Sequence, residues 1–239
     1  MAAENPASPL DNPVWAALNG PHRAFAEYSG RGAARYLPEV NPFASLADPE
    51  DPAAWADLAA LTGPGEEVWL TGLPTPPPDW ETVLRIPGVQ LDGRAVRAEH
   101  APEAVRLGPG DVAEMTALVR LTEPGPFLPR TVELGTYLGI RHEGRLVAMA
   151  GERMRPPGWT EISAVCTHPD FRGRGLAGRL IRSVAAVIRD RGDLPFLHAM
   201  ADNTGAVRLY ESMGFTLRRE PVFIGVRSPR QETIIRNTL

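Results

Sequence analysis

The stretch AVCTHPDFRGRGLAGRL, residues 164–180, reads as the end of a strand, a polar turn and the first turn of a helix. Arg172 and Arg174 stand near the helix start, where the backbone dipole is positive and acidic residues are usual. The glycines between them allow a ligand to approach the backbone closely. Free N–H groups, nearby cations and glycines together predict a cradle for an anion, most often a phosphate.

The composition indicates an ordinary globular protein. The 239 residues are 43% hydrophobic and 23% charged, which suits one large domain or two small ones. The net charge of −4 argues against a nucleic-acid partner or an anionic membrane surface. No run approaches about 20 apolar residues, so no membrane span is expected.

The cysteine count, the N-terminal residues and the absence of metal-site motifs bear on the compartment of the protein and on its cofactors. Cys166 is the only cysteine, so an internal disulfide is excluded and a reducing compartment fits. The residues Met1–Pro6 lack a basic start followed by an apolar run, so no signal peptide is expected and we predict a cytoplasmic location. Neither H-E-x-x-H nor C-x-x-C occurs, so no metal site is expected.

The region before residue 103 is rich in proline and contains no motif that indicates a particular reaction. Helical patterns run from Pro13 to about Tyr28, and from Pro52 to a stop at Gly63. Glu67–Thr71 is predicted to be a strand, and Val83–Leu91 is compatible with either a helix or a strand. We expect a loose tail over residues 1–10.

A break near residues 98–104 suggests two parts. Residues 1–102 would form a supporting half, and residues 103–239 would form the catalytic domain. In the second part we predict an antiparallel meander, a helix after residue 175, a parallel strand, and a second helix that Asn203 caps. These elements predict the α+β (mixed α/β) class, with the meander strands at 137–141, 145–150 and 160–167 and the parallel strand at 194–200.

The glycine turn formally matches G-x-G-x-x-G, a dinucleotide fingerprint, over Gly173–Gly178. Taken alone the match is weak, because His168–Arg172 separates the strand from the first glycine and no second set of βαβ units follows. Asp202 lies near the distance expected of a ribose-binding acid. A nicotinamide-dependent enzyme therefore stays open as an alternative.

A second pattern is more specific. Arg172–Ala177 fits [Q/R]-x-x-G-x-[G/A], and Val165-x-Thr167-x-Pro169 precedes it. About thirty residues on, Asn203-x-x-Ala206-x-x-Leu209-Tyr210-x-x-x-Gly214-Phe215 matches a second signature. In this order and spacing the two motifs resemble the acyl-CoA site of the GNAT superfamily of N-acetyltransferases, over roughly residues 103–228.

The resemblance implies the GNAT fold, a central and mostly antiparallel sheet that splays at a parallel pair, with helices on both faces. Residues 149–154 and 161–163 resemble the glycine N-acyltransferase-like branch. In that branch an N-terminal half is a degenerate partner of the catalytic half. Residues 1–102 would then be such a half, although no internal repeat shows it.

The resemblance also assigns the cofactor site. The amides of the turn would bind the pyrophosphate of coenzyme A, and the backbone of Val165 and Thr167 would pair with the pantetheine arm. Cys166 lies between those two residues, and its side chain alternates to the other face as an apolar filler. Asn203 is expected to cap its helix and also to contact the cofactor. The turn residues concerned are Arg172, Gly173, Arg174, Gly175, Leu176 and Ala177.

Three side chains are candidates for catalysis. Tyr210 is predicted to be the general acid that protonates the leaving thiolate; the alternative is a core tyrosine on a helical stripe. Glu161 precedes Thr167 by six residues, so a period of two places both on one face of the strand, an offset that resembles the catalytic glutamate of the histone-acetylating branch. Glu152 on the neighbouring strand is the alternative base. Either carboxylate needs burial or a relaying water to act as a base.

We therefore expect an acyl-CoA-dependent N-acyltransferase that moves an acetyl group from acetyl-CoA to a primary amine by direct attack in a ternary complex. The acceptor would be a small-molecule amine, a peptide N-terminus or a lysine, and the protein a monomer or a homodimer. A non-catalytic acyl-CoA-binding sensor is the alternative from another class. No metal, nucleic acid or membrane partner is expected.

Overall fold

The computed structural model describes residues 8–72 and 75–230. The tail expected over residues 1–10 falls largely outside these ranges, as do the last nine residues. The helices of the described chain are α1 (Pro13–Leu18), α2 (Pro52–Thr62), α3 (Val112–Thr122), α4 (Leu176–Asp190) and α5 (Thr204–Ser212). The strands are β1 (Ala26–Ser29), β2 (Ala33–Tyr36), β3 (Ala44–Leu46), β4 (Glu67–Gly72), β5 (Glu81–Asp92), β6 (Val105–Leu107), β7 (Tyr137–His142), β8 (Arg145–Glu152), β9 (Trp159–Thr167), β10 (Leu194–Met200), β11 (Thr216–Arg219) and β12 (Val222–Arg227).

Two sheets organise these strands. A small sheet has the order β1-β2-β3, and a nine-stranded sheet has the order β4-β12-β5-β10-β9-β8-β7-β6, with β11 beside β5. Within the large sheet, β9 and β10 are parallel and the other neighbouring strands are antiparallel. The predicted α+β class, with a mostly antiparallel sheet and one parallel pair, is confirmed.

Helices cover both faces of the large sheet. Leu180, Ile181 and Val184 of α4 are fully buried against one face, where Tyr210 of α5 joins the same core. On the opposite face, Met115 of α3 packs in a separate cluster with Cys166. The apolar spacing of α4 places its buried residues on one side of the helix, which is why it lies flat on the strands.

The N-terminal region departs from the sequence prediction at one helix. The helix predicted to reach Tyr28 ends at Leu18, and Ala26–Ser29 forms β1 instead. Gly20 and Pro21 follow the capping residue Asn19, and proline has no N–H for a helical hydrogen bond. The undecided segment Val83–Leu91 lies in strand β5.

Strands from before residue 103 are built into the large sheet. β5 lies between β12 and β10, and β4 pairs with β12. One apolar cluster joins Leu10, Tyr36 and Phe43 to Phe196 and Phe223. The position 102/103 falls in the connection between β5 and β6, so sheet and core both continue across it. The division into two domains there stays a prediction.

Candidate active site

A groove opens where the parallel pair separates. The register joins Trp159–Ile162 of β9 to Leu194–Leu197 of β10 and stops there, although both strands continue. Beyond Leu197, β10 stays paired with β5, and the end of β9 stays paired with β8. Each strand follows its outer neighbour, so the two carboxyl ends diverge and leave a gap of the predicted kind.

A bulge in β9 shapes this gap. Ala164 has a φ of 51°, and the pairing with β8 shifts by one residue, from Gly151 opposite Ser163 to Met149 opposite Cys166. Ile162 and Val165 consequently pack against the same core, three positions apart. Glu161 and Thr167 therefore lie on opposite faces. The prediction that period two places both on one face was wrong, because the extra residue resets the alternation.

The edge of β9 that faces the gap pairs with no strand beyond Ile162. The His168 N–H donates to the Val147 carbonyl at 2.8 Å, so residue 168 faces β8. By alternation, Val165 and Thr167 direct their N–H and C=O groups toward the gap. The buried Thr167 hydroxyl also has no hydrogen-bond partner within the described residues. This edge matches a ligand rich in amides.

The glycine turn forms the predicted cradle at the start of α4. Gly173 and Gly175 have φ values of 75° and 74°, a backbone conformation that favours glycine. The Arg179 N–H donates to the Gly175 carbonyl at 3.2 Å, so the amides of Leu176–Gly178 precede the first intrahelical bond. No acidic side chain stands in the first turn of α4. The amides are thus free to bind an anion.

The two arginines of the turn differ in position. Arg172 lines both the cradle and the groove, and its Nε lies 3.4 Å from the Thr167 carbonyl oxygen. Arg174 instead folds over the Phe171 ring at 4.6 Å and donates to the Asp170 carbonyl. Arg172 is therefore the arginine of the turn whose side chain faces the ligand space, whereas Arg174 lines neither space.

Tyr210, Asn203 and Cys166 all line the groove. Burial raises the pKa of Tyr210 to about 12, so the phenol stays protonated through neutral pH. The Asn203 side chain accepts the Ala206 N–H at 3.2 Å, as expected of a helix cap. Burial raises the pKa of the Cys166 thiol to about 11, which disfavours a nucleophilic thiolate.

Glu161 is fully buried in an ion pair rather than placed in the groove. Arg153 donates to both of its carboxylate oxygens, at 2.7 and 2.9 Å, and the His198 ring lies 2.8 Å away. Burial alone would raise the pKa of Glu161, but the charge and hydrogen bonds of Arg153, with a contribution from His198, lower it to about 2. A carboxylate held in this way is a weak base.

Glu152 is the last residue of β8 and lies opposite Ile162 of β9. Its side chain accepts two hydrogen bonds of 2.9 Å from Arg191, beyond the end of α4. Neither Glu152 nor Glu161 lines the groove. The structure thus brings together the cradle, the β9 edge, Asn203 and Tyr210, but not the two carboxylates.

Three ionisable residues that the sequence interpretation passed over do line the groove, namely Glu123, Arg153 and His198. His198 interrupts the otherwise apolar sequence of β10, which is the signal that could have singled it out. Glu123 ends α3 with a left-handed φ of 48°. No group of three or more His, Cys, Asp or Glu side chains within the described ranges could hold a metal ion. None of the described helices could span a membrane.

Comparison with known proteins agrees with this geometry. Residues 137–224 match the FR47-like protein family. A solved structure of a GNAT-family protein from Novosphingobium aromaticivorans is 43% identical and has a TM-score of 0.84, covering 95% of this chain and 100% of that one.

Two curated relatives match shorter stretches. The N-alpha-acetyltransferase RimI of Mycobacterium tuberculosis is 37% identical over 82 residues, 33% of this chain and 51% of the relative. The mycothiol acetyltransferase of Thermobispora bispora is 41% identical over 83 residues, 34% of this chain and 27% of the relative. The chain therefore spans about half or less of the length of these curated relatives.

Proposed function

Because the chain belongs to the GNAT family of acetyltransferases, we propose that it transfers the acetyl group of acetyl-CoA to a primary amine. The observation that supports this most directly is the continuity of the gap between β9 and β10 with the cradle at α4. Thr167 and Arg172 line both the groove and the cradle. A ligand with an anionic end and an amide-rich arm suits this shape.

The chain offers acetyl-CoA two kinds of contact. The amides of Arg172–Ala177 would bind the diphosphate, and hydrogen bonds to such a charged acceptor contribute about 1.5–3 kcal/mol each. The exposed edge of β9 at Val165 and Thr167 pairs with the amide groups of the arm, as a peptide adds to a sheet. The Thr167 hydroxyl is a further polar group that such an arm can satisfy.

The reaction needs a bond from the amine nitrogen to the acetyl carbon and the loss of the bond from that carbon to sulfur. Tyr210 is our candidate to assist the departing sulfur, since its raised pKa keeps the hydroxyl proton in place. A thiol has a pKa of about 8.5, so complete proton transfer from Tyr210 would be uphill. Tyr210 therefore acts mainly by donating a hydrogen bond, and the thiolate takes its proton from solvent.

The amine loses its own proton to solvent in this proposal. Glu161 and Glu152 are tied to Arg153 and Arg191, and neither carboxylate lines the groove. The His198 ring nitrogens face Glu161 and Gln90, at 2.8 and 3.1 Å. Attack then depends on the neutral fraction of the amine, which is larger for an α-amine of pKa about 8 than for a lysine-type amine of pKa about 10.4.

Two finer points belong to the same proposal. The similarity to an N-alpha-acetyltransferase and to mycothiol acetyltransferases supports an amine acceptor, which we take to be a small molecule, a peptide N-terminus or a lysine. We also retain the glycine N-acyltransferase-like branch, with residues 1–102 as its N-terminal half. The topology disfavours a nicotinamide-dependent enzyme, because the dinucleotide fingerprint belongs to a doubly wound parallel sheet and this sheet is mostly antiparallel.

The test is release of free thiol from acetyl-CoA, measured across a panel of primary amines. We expect release that depends on the amine, and a product heavier by one acetyl group. Tyr210→Phe should lower kcat by about 10–100-fold and leave the KM for acetyl-CoA nearly unchanged. Tight binding of acetyl-CoA without thiol release from any amine would favour the sensor, and thermal stabilisation by NAD but not by CoA would overturn the assignment.

A further inference from the structure

A second cavity of about 120 Å³ adjoins the groove where β10 diverges from β9. The two spaces share Pro124, Arg153, His198, Ala199 and Met200. Further walls of the smaller cavity are Phe43, Trp69 of β4, Ile86 of β5 and Phe223 of β12. Its position places a bound molecule next to the point where the acetyl group would arrive.

Apolar side chains dominate this cavity, and its polar groups are already satisfied. Arg153 is neutralised by Glu161, and its guanidinium also lies 5.2 Å from the centre of the Phe43 ring. His198 is bound by Glu161 and Gln90. A cationic or strongly hydrated group would find no free counter-charge here and would lose its water. An apolar group needs neither a counter-charge nor hydrogen bonds, so it can enter without this cost.

The size of the cavity limits that group. An apolar cavity of about 150 Å³ in another protein stays dry and binds benzene. This cavity is slightly smaller, which suits a phenyl ring or a branched aliphatic chain. The ring of Phe43 stands edge-on to Trp69 at 6.1 Å and is tilted against Phe223 at 6.0 Å, so the aromatic walls hold each other in place.

Glu123 supplies charge at the junction of the two spaces. It is exposed and lines the groove next to Pro124, which lines both spaces. Among the described residues that line either space, Glu123 is the one carboxylate. Its left-handed backbone, with a φ of 48°, ends α3, and its N–H donates to the Val119 carbonyl, so the cap fixes where the residue lies.

We propose that this cavity is the acceptor subsite, and that the acceptor is a primary amine carrying a single apolar group of phenyl or isobutyl size. The apolar group enters between Phe43, Trp69 and Ile86. The ammonium points toward Glu123 before it loses its proton. The inference rests on the proposed acetyltransferase function and assigns its substrate class.

The arrangement also gives the N-terminal region a role in selectivity. Phe43, Trp69 and Ile86 all precede residue 103, and Ile86 lies opposite Phe223 in the pairing of β5 with β12. The side of the groove proposed for acetyl transfer comes from β9, Arg172 of the turn before α4, and α5. Acceptor choice therefore depends in part on residues that precede residue 103.

The first experiment compares kcat/KM for free amines at a fixed saturating concentration of acetyl-CoA. We expect 2-phenylethylamine and isoamylamine to exceed ethanolamine and putrescine by about 10- to 100-fold, the range expected for burial of such a group. Peptides beginning with Phe or Leu, against peptides beginning with Ser or Asp, form a second arm. A preference for the apolar member in either arm supports the proposal, and the arm that reacts better identifies the source of the amine.

The second experiment fills the cavity. Ile86→Trp should lower kcat/KM for 2-phenylethylamine by more than tenfold while the KM for acetyl-CoA stays the same. Leu217→Trp, at an exposed position of β11, is the matched control and should change neither value. Ile86→Ala should shift the preference toward 4-phenylbutylamine, and Glu123→Gln should raise the KM for the amine more than it lowers kcat.

The outcomes separate this inference from the function on which it rests. Acetylation of every amine without preference, or a preference for putrescine, would overturn the apolar subsite and leave the acetyltransferase function standing. Equal effects of Ile86→Trp and Leu217→Trp on kcat/KM for 2-phenylethylamine would likewise overturn the subsite and leave the acetyltransferase function standing. Absence of thiol release with every amine would instead remove the proposed function.

Discussion

The ion pair of Glu161 and Arg153 offers a quantitative test of the buried site. Replacing Glu161 by Gln keeps the size of the side chain and its hydrogen bond to His198 but leaves the Arg153 guanidinium buried without a counter-charge. The carboxyl pKa falls from 4.5 to about 2 on folding, which at about 1.4 kcal/mol per pH unit corresponds to about 3 kcal/mol. Removing one partner of a buried pair costs a similar amount, about 3–5 kcal/mol.

The measurement is urea-induced unfolding at pH 7, followed by tryptophan fluorescence. We expect Glu161→Gln to lower the free energy of unfolding by about 3–4 kcal/mol. Glu152→Gln is the matched control, because its carboxylate is equally buried while Arg191, its partner, is 29% exposed and can reach water. The control should cost about half as much or less. The double variant Arg153→Met with Glu161→Gln should recover most of the loss, since no unpaired charge remains.

The sign of the pH dependence follows from the same pair. A carboxyl whose pKa is depressed in the folded protein stabilises it above the unfolded pKa, and that stability is lost as the pH falls from 4.5 toward 2. Glu161→Gln should flatten the stability curve in this window. A cost below about 1 kcal/mol at pH 7, or a double variant no more stable than Glu161→Gln alone, would refute the electrostatic account.

Three further predictions concern other parts of the molecule. Burial lowers the pKa of His22 to about 4, so the folded state should lose about 3 kcal/mol as the pH falls from 6.5 to 4; urea unfolding at pH 7, 5.5 and 4 measures this, and His22→Phe should remove the slope. Gly175→Ala should cost about 1–2 kcal/mol, because the residue must keep a φ of 74°, and isothermal titration should show weaker CoA binding; Gly192→Ala, also at positive φ but beyond the end of α4, should destabilise the protein without changing CoA binding. The rise of kcat/KM with pH should track the pKa of the amine, moving by about two pH units between an α-amine and an alkylamine; a limb that stays at one pH for both would reveal a base on the enzyme.

The cradle was predictable because its signal is local. A helix of 3.6-residue period, glycines at the positions that need positive φ, and a strand before the turn all lie within about thirty residues. The hairpin of β7 and β8 was equally readable, with Glu143 and Gly144 adopting positive φ in its turn. Each of these features depends on neighbours in the chain.

The faces of β9 were not predictable by the same means. Strict alternation fails at Ala164, because an alanine gives no sequence signal for a φ of 51°. The shift comes from pairing with β8, a tertiary constraint. It separates Glu161 from Thr167 and leaves the carboxylate to Arg153. The general-base assignment to Glu161 was drawn from that alternation and now stands only on the family resemblance.

The residues that form the walls of the proposed acceptor cavity could not be predicted from the sequence either. Phe43, Trp69 and Phe223 are separated by up to 180 residues; the pairing of β4 with β12 joins the strands of Trp69 and Phe223, and an isolated bridge joins Phe43 to Trp69. The segment 83–91 could not be assigned because its apolar run suits a helix as well as a strand. Its place between β12 and β10 decided the matter. Long-range pairing, which a single sequence does not display, thus set the acceptor side of the groove.

The position of β12 carries a consequence for synthesis on the ribosome. β4 and β5 emerge early but are not neighbours, because the space between them belongs to residues 222–227. In a nascent chain, the edges of β4 and β5 that pair with β12 therefore stay without their partner strand until almost the whole sequence has been translated. Premature termination before residue 222 would release a chain whose exposed edges can join those of other copies.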